Sequence, residues 1–282
     1  MKTKEQLIDD LLSLAFAEDI GDGDHTTLST IPATARGRQR LIIKEEGIIA
    51  GVEVARMVFE RLDPDLTMTV MIPDGSHVKP GDVAFEVEGP VRSLLQAERT
   101  MLNIMQRMSG IATTTTRYQE RLKGLKTTVL DTRKTTPGMR MLEKEAVKIG
   151  GGTNHRIGLF DMILIKDNHV DFAGGIPQAV ASARAYLKEK GKDLKIEVEV
   201  RNTPEILQAL EAGADRIMLD NFTPEATAEA VKLIGGRAEV ESSGGITIDT
   251  LRAYGEAGVD FISVGALTHS VKSLDMSFKA VK

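Results

Sequence analysis

Apolar positions recur at helical spacing from the start of the chain, over about residues 4–16. A polar run rich in Gly and Asp, EDIGDGDHTT at residues 18–27, then interrupts the pattern and reads as a loop. Short β-rich runs follow at 40–44, 48–50, 67–72 and 83–87, separated by turn chemistry such as Pro73-Asp74-Gly75 and Pro80-Gly81-Asp82. Helical spacing returns over 91–108, where Leu94, Leu95, Met101, Leu102 and Met105 mark one face. This first part reads as an α+β domain.

From residue 127 onward the text becomes a regular alternation. Strand-like runs lie at 127–130, 162–165, 196–200, 216–219, 238–241 and 261–264. Helical patterns fall between most of them, at 139–149, 176–190, 204–212, 224–234 and 248–257. Strand, helix, strand at such intervals is the mark of parallel βα units. EAGADRI at Glu211 and EAGVDFI at Glu256 look alike because each ends a helix on Gly and opens the next strand. An open doubly wound sheet and a barrel both fit this series. No G-x-G-x-x-G follows the first strand, so dinucleotide binding has no direct support. The position of the polar residues favours the barrel.

Composition narrows the chemistry. With 41% hydrophobic and 27% charged residues the chain reads as globular rather than disordered or fibrous. A formal net charge of −5 argues against a general nucleic-acid binder, although a local cation cluster could still hold a small anion. The absence of Cys excludes disulfides, thiolate nucleophiles and Cys-ligated metal sites. The N-terminal stretch carries acids within its apolar run, unlike a signal peptide, and no run is long enough to cross a bilayer. A cytoplasmic protein with no membrane partner is the expectation.

In a βα barrel, function gathers at the C-terminal ends of the strands. Here those ends carry Asp131, Thr132, Arg133 and Lys134; then Lys166; then Glu197 and Glu199; then Asp220 and Asn221; then Ser242, Ser243, Gly244 and Gly245; then Gly265 and Ala266. Arg133, Lys134, His155, Arg156 and Lys166 together would suit an anion of at least two charges. The plainer alternative pairs them with Asp131, Asp161 and Asp167 as a solvated rim. The run Gly150-Gly151-Gly152 before His155 could let backbone amides approach an anion, or could be a connector. Ser243-Gly244-Gly245 and Val264-Gly265-Ala266, each before a helical stretch, have the place of a barrel phosphate site. Glu199 and Asp220 could hold ribose hydroxyls, help place Mg²⁺ on a pyrophosphate, or stabilise positive charge at a sugar carbon; they could also simply neutralise the cations.

The block DTRKTTPGMRMLEKEAVKIGGGTNHRIGLFDMILIKDNH, from Asp131 to His169, resembles the quinolinate phosphoribosyltransferase family. The likeness extends to AEDIGDGDHTT, EEGIIAG, AERTMLNIMQRMSGIAT, EVEV, LDNF, ESSGGI and VGALTHS, and so spans essentially the whole chain. It implies an α/β fold: an N-terminal α/β sandwich (residues 1–108, joined by the tail 268–282) and an incomplete, seven-stranded α/β barrel (109–267) with the active site. It implies phosphoribosyl transfer from phosphoribosyl pyrophosphate to quinolinate with decarboxylation, giving nicotinate mononucleotide for NAD. By resemblance Thr132, Arg133, His155, Arg156 and Lys166 would bind quinolinate, joined by Arg99 from the other chain of a homodimer with shared sites, which could assemble into a hexamer. Lys134 would sit beside both substrates, Glu199 and Asp220 would contact the ribose, and Ser243, Gly244, Gly245, Val264, Gly265 and Ala266 would hold its 5′-phosphate. Mg²⁺ would travel with the pyrophosphate, with no protein metal cage. For His25 and the loop at 18–27 a structural or interface role is expected.

Three rivals share these residues. One is a related enzyme on the same fold, from the molybdenum-operon homologues or acting on a monocarboxylate, which would leave one cation unmatched. Another is a lyase forming a Schiff base on Lys166 or Lys134, which needs a desolvated amine. The last is a non-catalytic binding paralogue.

Overall fold

A computed structural model describes residues 2–281, which divide into two compact units. The first takes in residues up to Thr116, Thr135–Gly151 and everything from Ala266 onward; the second takes in Arg117–Lys134 and Gly152–Gly265.

The first helix, α1 (Lys4–Ile20), starts at a capping box: Gln6 N–H donates to Thr3 Oγ1 at 3.2 Å, and Thr3 N–H donates to Gln6 Oε1 at 3.0 Å. It runs a turn beyond the expected helix and stops at Gly21. The polar run expected as a loop holds a second helix, α2 (His25–Thr30), capped by Asp24, whose carboxylate accepts Thr27 N–H at 3.0 Å. His25 therefore opens a short helix.

Next come β1 (Arg36–Ile43), β2 (Gly47–Ile48), α3 (Val52–Leu62), β3 (Thr67–Val70), β4 (His77–Val78), β5 (Val83–Pro90) and α4 (Val91–Arg121). Two of these, α3 and β4, are absent from the sequence expectations. In α3 the opening Val-Glu-Val imitates strand alternation, yet Val52, Ala55, Val58 and Phe59 are buried at helical spacing. Strand β1 pairs with β5 and β5 with β3, all antiparallel. The C-terminal strand comes back to the far side of β1, placing Leu41 opposite Phe278. Rings of Phe59, Phe85 and Phe278 meet there, with centroids 5.9–6.2 Å apart. They form the aromatic centre of this unit's core.

The chain continues through β6 (Thr128–Leu130), α5 (Arg140–Ile149), β7 (Ile163–Ile165), α6 (Asp167–Ala173), α7 (Ile176–Lys190), β8 (Ile196–Val200), α8 (Thr203–Glu211), β9 (Arg216–Asp220), α9 (Pro224–Ile234), β10 (Glu239–Ser243), α10 (Leu251–Glu256), β11 (Phe261–Ser263), α11 (Ala266–His269) and β12 (Met276–Ala280). In the second unit six parallel strands form one sheet, in the order β6-β11-β10-β9-β8-β7. Strands β7 to β11 are neighbours in chain order, and the first strand, β6, pairs with the last, β11. That is a barrel's sequence of neighbours. Successive helices pack on one another, α7 on α8, α8 on α9 and α9 on α10, as an outer layer does.

The seventh strand implied by the family resemblance is reduced to a bridge. Thr153 pairs in parallel with Leu130, its N–H donating to Val129 O at 2.9 Å and its carbonyl accepting Asp131 N–H at 3.3 Å. No strand ladder joins it to β7 among the described residues, so the sheet stays open at this seam.

Barrel interiors are usually filled by Val, Ile and Leu. Here charged residues stand among the inward positions, beside apolar ones such as Leu164 and Met218. The outward residues Ile196, Val198 and Val200 are fully buried, while the alternate residues of β8 are Glu197 and Glu199. Register places Glu197 and Glu239 opposite Arg216, and Asp220 opposite Ser243.

Candidate active site

The C-terminal ends of the parallel strands carry the residues singled out in the sequence. After β6 the chain turns sharply, with Lys134 N–H donating to Thr132 Oγ1 at 3.0 Å, which leaves Arg133 and Lys134 exposed. After β7 comes Lys166, its backbone N–H held by His169 Nδ1 at 3.0 Å. The Lys166 ammonium lies 3.8 Å from Glu199, at the end of β8. Burial pushes the Glu199 carboxyl above its ordinary pKa; Lys166 opposes the shift and the nearby Asp220 adds to it. Lys166, Glu199 and Asp220 thus form one patch.

Arg156 is half-buried, with Nη1 donating to the Met162 carbonyl at 3.4 Å. Its pKa is lowered by burial and by the positive charge of Arg133, with Glu197 and Asp161 acting in the opposite sense. Two guanidiniums close enough to repel are an unfavourable arrangement that a dianion would relieve. The loop carrying Arg156 is held by Asp161, whose carboxylate accepts Ile157 N–H at 2.7 Å and Gly158 N–H at 2.9 Å. Asp161 is committed to backbone rather than to the solvated rim considered above.

His155 does not stand as the sequence suggested. Its ring is buried, with Nδ1 hydrogen-bonded to the backbone and Nε2 facing two buried carboxylates. Nε2 lies 3.0 Å from Glu197 and 3.4 Å from Glu241, both fully buried. Nδ1 accepts the backbone N–H of Arg156 at 2.7 Å. The resemblance implies a substrate contact for this ring; in the structure its two nitrogens face Glu197, Glu241 and the Arg156 amide. Behind Glu241, at 3.4 Å, sits Arg216, which also pairs with Glu239 at 3.0 Å and stacks over the Phe261 ring at 4.2 Å. Burial works against a charged His155, but the two glutamates outweigh it and hold its pKa up at about 9. Burial, then the charge of Glu241, pushes Glu197 to about 7, while His155 and Arg216 hold Glu241 down despite its burial. The group titrates as a unit that keeps an extra proton at neutral pH.

His155, Glu197 and Glu241 also bring ligand atoms close enough to bracket a metal ion. With Arg216 already beside Glu241, this donor set has its cation, and its mixed nitrogen and carboxylate character does not suit Mg²⁺.

The candidate phosphate loop closes on a strained residue. Asn221 has φ 57°, the sole non-glycine with positive φ among the described residues. Its N–H donates to Ser243 O at 2.9 Å, and its side-chain amide donates to Asp220 at 2.7 Å. Gly244 has φ +98°, and a Cβ there would lie 2.2 Å from Asn221 Oδ1, so only glycine fits. A Cβ at Gly245 would meet nothing within 4 Å, so its backbone faces open space. Val264 is buried, its N–H donating to Leu130 O at 2.9 Å, and Gly265 follows it.

Arg99 and Ala266 belong to the first unit. Arg99 lies exposed on α4 and lines a hollow of about 480 Å³ with Leu11, Glu18, Asp19 and Arg107. The glycine run is not an anion cradle throughout. Gly150 caps α5, and a Cβ on it would come within 2.4 Å of the Ala112 carbonyl, so this glycine serves helix packing. Glu241 and Arg216 escaped the sequence reading as site residues. Their signal is a charged residue at alternate positions of buried parallel strands, in EVESS and RIMLD.

Residues 24–109 match the family model described as "Quinolinate phosphoribosyl transferase, N-terminal domain", and residues 111–279 match "Quinolinate phosphoribosyl transferase, C-terminal domain". The chain belongs to the quinolinate phosphoribosyltransferase family. The chloroplastic nicotinate-nucleotide pyrophosphorylase [carboxylating] of Arabidopsis thaliana is 46% identical, over 95% of this chain and 81% of its own. A probable nicotinate-nucleotide pyrophosphorylase [carboxylating] of Bacillus subtilis is 44% identical, over 95% of this chain and 91% of its own. The crystal structure of NadC from Streptococcus pyogenes superposes with a TM-score of 0.93 at 40% identity, covering 100% of this chain and 99% of that one. Among the described residues no helix is long and apolar enough to cross a membrane.

Proposed function

We propose that this family member transfers phosphoribosyl from phosphoribosyl pyrophosphate to the nitrogen of quinolinate and releases CO₂, giving nicotinate mononucleotide and pyrophosphate. The observation that carries the reading is the pairing of Arg156 and Arg133, two mutually repelling guanidiniums at the strand ends with Lys166 on the neighbouring patch. A dicarboxylate satisfies such a cluster better than a monocarboxylate does.

In this reading Arg133, Arg156 and Lys166 hold the two carboxylates, with Thr132 at the turn and Lys134 beside both substrates. Arg99 contributes from the partner subunit of a homodimer. Glu199 and Asp220 face the ribose. Ser243, Gly244, Gly245, Val264, Gly265 and Ala266 surround the 5′-phosphate. Mg²⁺ enters with the pyrophosphate as part of the substrate, and no protein side chain is assigned to it. The cytoplasm remains the proposed compartment for this chain; its plant relatives carry chloroplastic or mitochondrial designations.

The pyridine nitrogen attacks C1 as the bond to pyrophosphate breaks, through an oxocarbenium-like state that the carboxylates of Glu199 and Asp220 stabilise. The ring nitrogen then bears a positive charge. The C2 carboxylate leaves as CO₂, its bonding pair staying on C2 beside that charge, and C2 takes up a proton. Side chains orient two polyanions and stabilise separated charge, with no nucleophile required. A Schiff-base lyase fits poorly, because the Lys166 side chain is 49% exposed and lies 3.8 Å from a carboxylate.

The decisive assay supplies purified protein with quinolinate labelled in its C2 carboxyl, phosphoribosyl pyrophosphate and Mg²⁺. Labelled CO₂ and nicotinate mononucleotide should form in equal amounts; release of CO₂ without nucleotide would contradict the reading. Gly244→Ala should raise the KM for phosphoribosyl pyrophosphate about tenfold or more, since the added methyl displaces Asn221 and the loop that faces the phosphate. Steady-state kinetics checks this, with the KM for quinolinate changing less.

A further inference from the structure

We propose that Glu197 and Glu241 are positioning residues for quinolinate, acting through His155 on Arg156. This rests on the reading of Arg133, Arg156 and Lys166 as the dicarboxylate site. The two glutamates come from β8 and β10 and are fully buried, with no contact to solvent through which they could meet a substrate directly. Both face His155 Nε2, at 3.0 and 3.4 Å, so that nitrogen carries the proton. The other nitrogen, Nδ1, is then left with a lone pair, and it accepts the N–H of Arg156 at 2.7 Å. The tautomer imposed from beneath thus fixes the backbone of the residue that presents its guanidinium above. The same loop is anchored on its other side by Asp131 Oδ1, which accepts His155 N–H at 2.9 Å. The acceptor role is possible only while Nδ1 is unprotonated, so a proton taken up by the group resides on the Glu197 side of Nε2. Glu197 Oε2 lies 3.0 Å from Nε2 without a well-aligned hydrogen bond and Oε1 has no partner among the described residues, so the carboxyl is open to carry it.

The charged and titratable groups that face His155 and its loop include Asp131 after β6, Glu197 on β8, Arg216 on β9, Glu241 on β10 beside Ser263 of β11, and Arg156 with Asp161 on the loop itself, the charge of Arg133 acting on Arg156. Strand β7 places apolar Leu164 at the level of Glu197. With Glu197 protonated, Glu241 ionised and Arg216 charged, the buried group is neutral overall. Losing that proton leaves a net negative charge under the loop. The raised pKa values, about 7 on Glu197 and about 9 on His155, belong to the pair that shares the proton between Nε2 and Glu197, so the loop is held while the pair keeps that one proton and is released as pH climbs from about 7 to about 9.

The test measures KM for quinolinate and for phosphoribosyl pyrophosphate from about pH 6.5 to about pH 9.5, in the unmodified chain, Glu197→Gln and Glu241→Gln. It is paired with ¹⁵N NMR of the His155 ring, which distinguishes a protonated nitrogen from a lone-pair nitrogen. The unmodified chain should show Nε2–H with a bare Nδ1, and a KM for quinolinate that rises with pH. Glu197→Gln should flatten that rise. Glu241→Gln should let the proton populate Nδ1 and raise the quinolinate KM about tenfold at neutral pH, leaving the other KM within about twofold. A wild-type ring protonated at Nδ1 would overturn the proposal. So would a pH limb unchanged in Glu197→Gln, or an equal rise of both KM values in Glu241→Gln. Should a variant fail to fold, the tautomer and pH limb of the unmodified chain still decide. Absence of any quinolinate turnover by the unmodified chain would instead defeat the functional reading, and the NMR measurement would stand apart from it.

Discussion

Arg156→Ala should lower kcat/KM for quinolinate by about 2–5 kcal/mol, roughly thirty- to several-thousandfold, without lowering thermal stability. The two halves of that result belong together. Arg156 is half-buried beside the like charge of Arg133, which disfavours its charged form. In the free protein it makes one long hydrogen bond, to Met162 O at 3.4 Å. Removing it relieves repulsion, so folding loses little. The binding of a dianion loses a forked, charge-assisted contact, so catalysis loses much. Arg156→Lys should recover only part of the activity, because an ammonium keeps the charge but not the planar fork. Steady-state kinetics with varied quinolinate, set beside a thermal melt, checks both halves. An unstable variant with near-normal kcat/KM would mark Arg156 as structural.

The opposite pattern is expected one layer deeper. Arg216→Met should destabilise the second unit by about 3–5 kcal/mol, because removing one member of a buried ionic group strands the others. Arg216 is nearly buried, lies 3.4 Å from Glu241 and 3.0 Å from Glu239, and covers the Phe261 ring. Without it, Glu197 and Glu241 face each other with only His155 between them. The melting temperature should fall by roughly 6–15 °C at neutral pH. The deficit should shrink as pH falls and Glu197, already raised to about 7, takes up its proton. Melts of both proteins across pH check this. A deficit that stays constant with pH would place the loss in packing against Phe261 instead.

Much of this was legible in the chain because the signals are local. Parallel βα units announce themselves by length and by glycines that end helices, and the six strands of the second unit fall where the alternation put them. The cations at strand ends were legible for the same reason. What escaped depends on distant partners. The resemblance implies that the tail returns to the first domain, but strand β12 itself exists because it lies against β1, more than two hundred residues earlier, and nothing in MSFKA alone demands it. Helix α3 hides behind Val-Glu-Val, and α6 is a single short element with buried Val170. The seventh strand shrank to Thr153, too short to leave any pattern.

The site divides along the same line. A sequence can nominate Arg133, His155, Arg156 and Lys166 as charged residues at strand ends. It does not reveal where a ring points. His155 was grouped with the arginines as a substrate contact, yet its Nε2 faces two buried glutamates and its Nδ1 holds a backbone amide. Glu197 was visible as a residue of the third strand of the alternation, but its partner Glu241 sits on another strand, and only register and packing bring the two to one histidine.

A crystal structure with quinolinate bound tests the central claim most directly. The account predicts the ring at the C-terminal ends of the parallel strands, one carboxylate forked by Arg156 and Arg133 and the other near Lys166, with His155 still turned toward Glu197 and Glu241. Quinolinate seated elsewhere, with those cations facing solvent and unengaged, would contradict it.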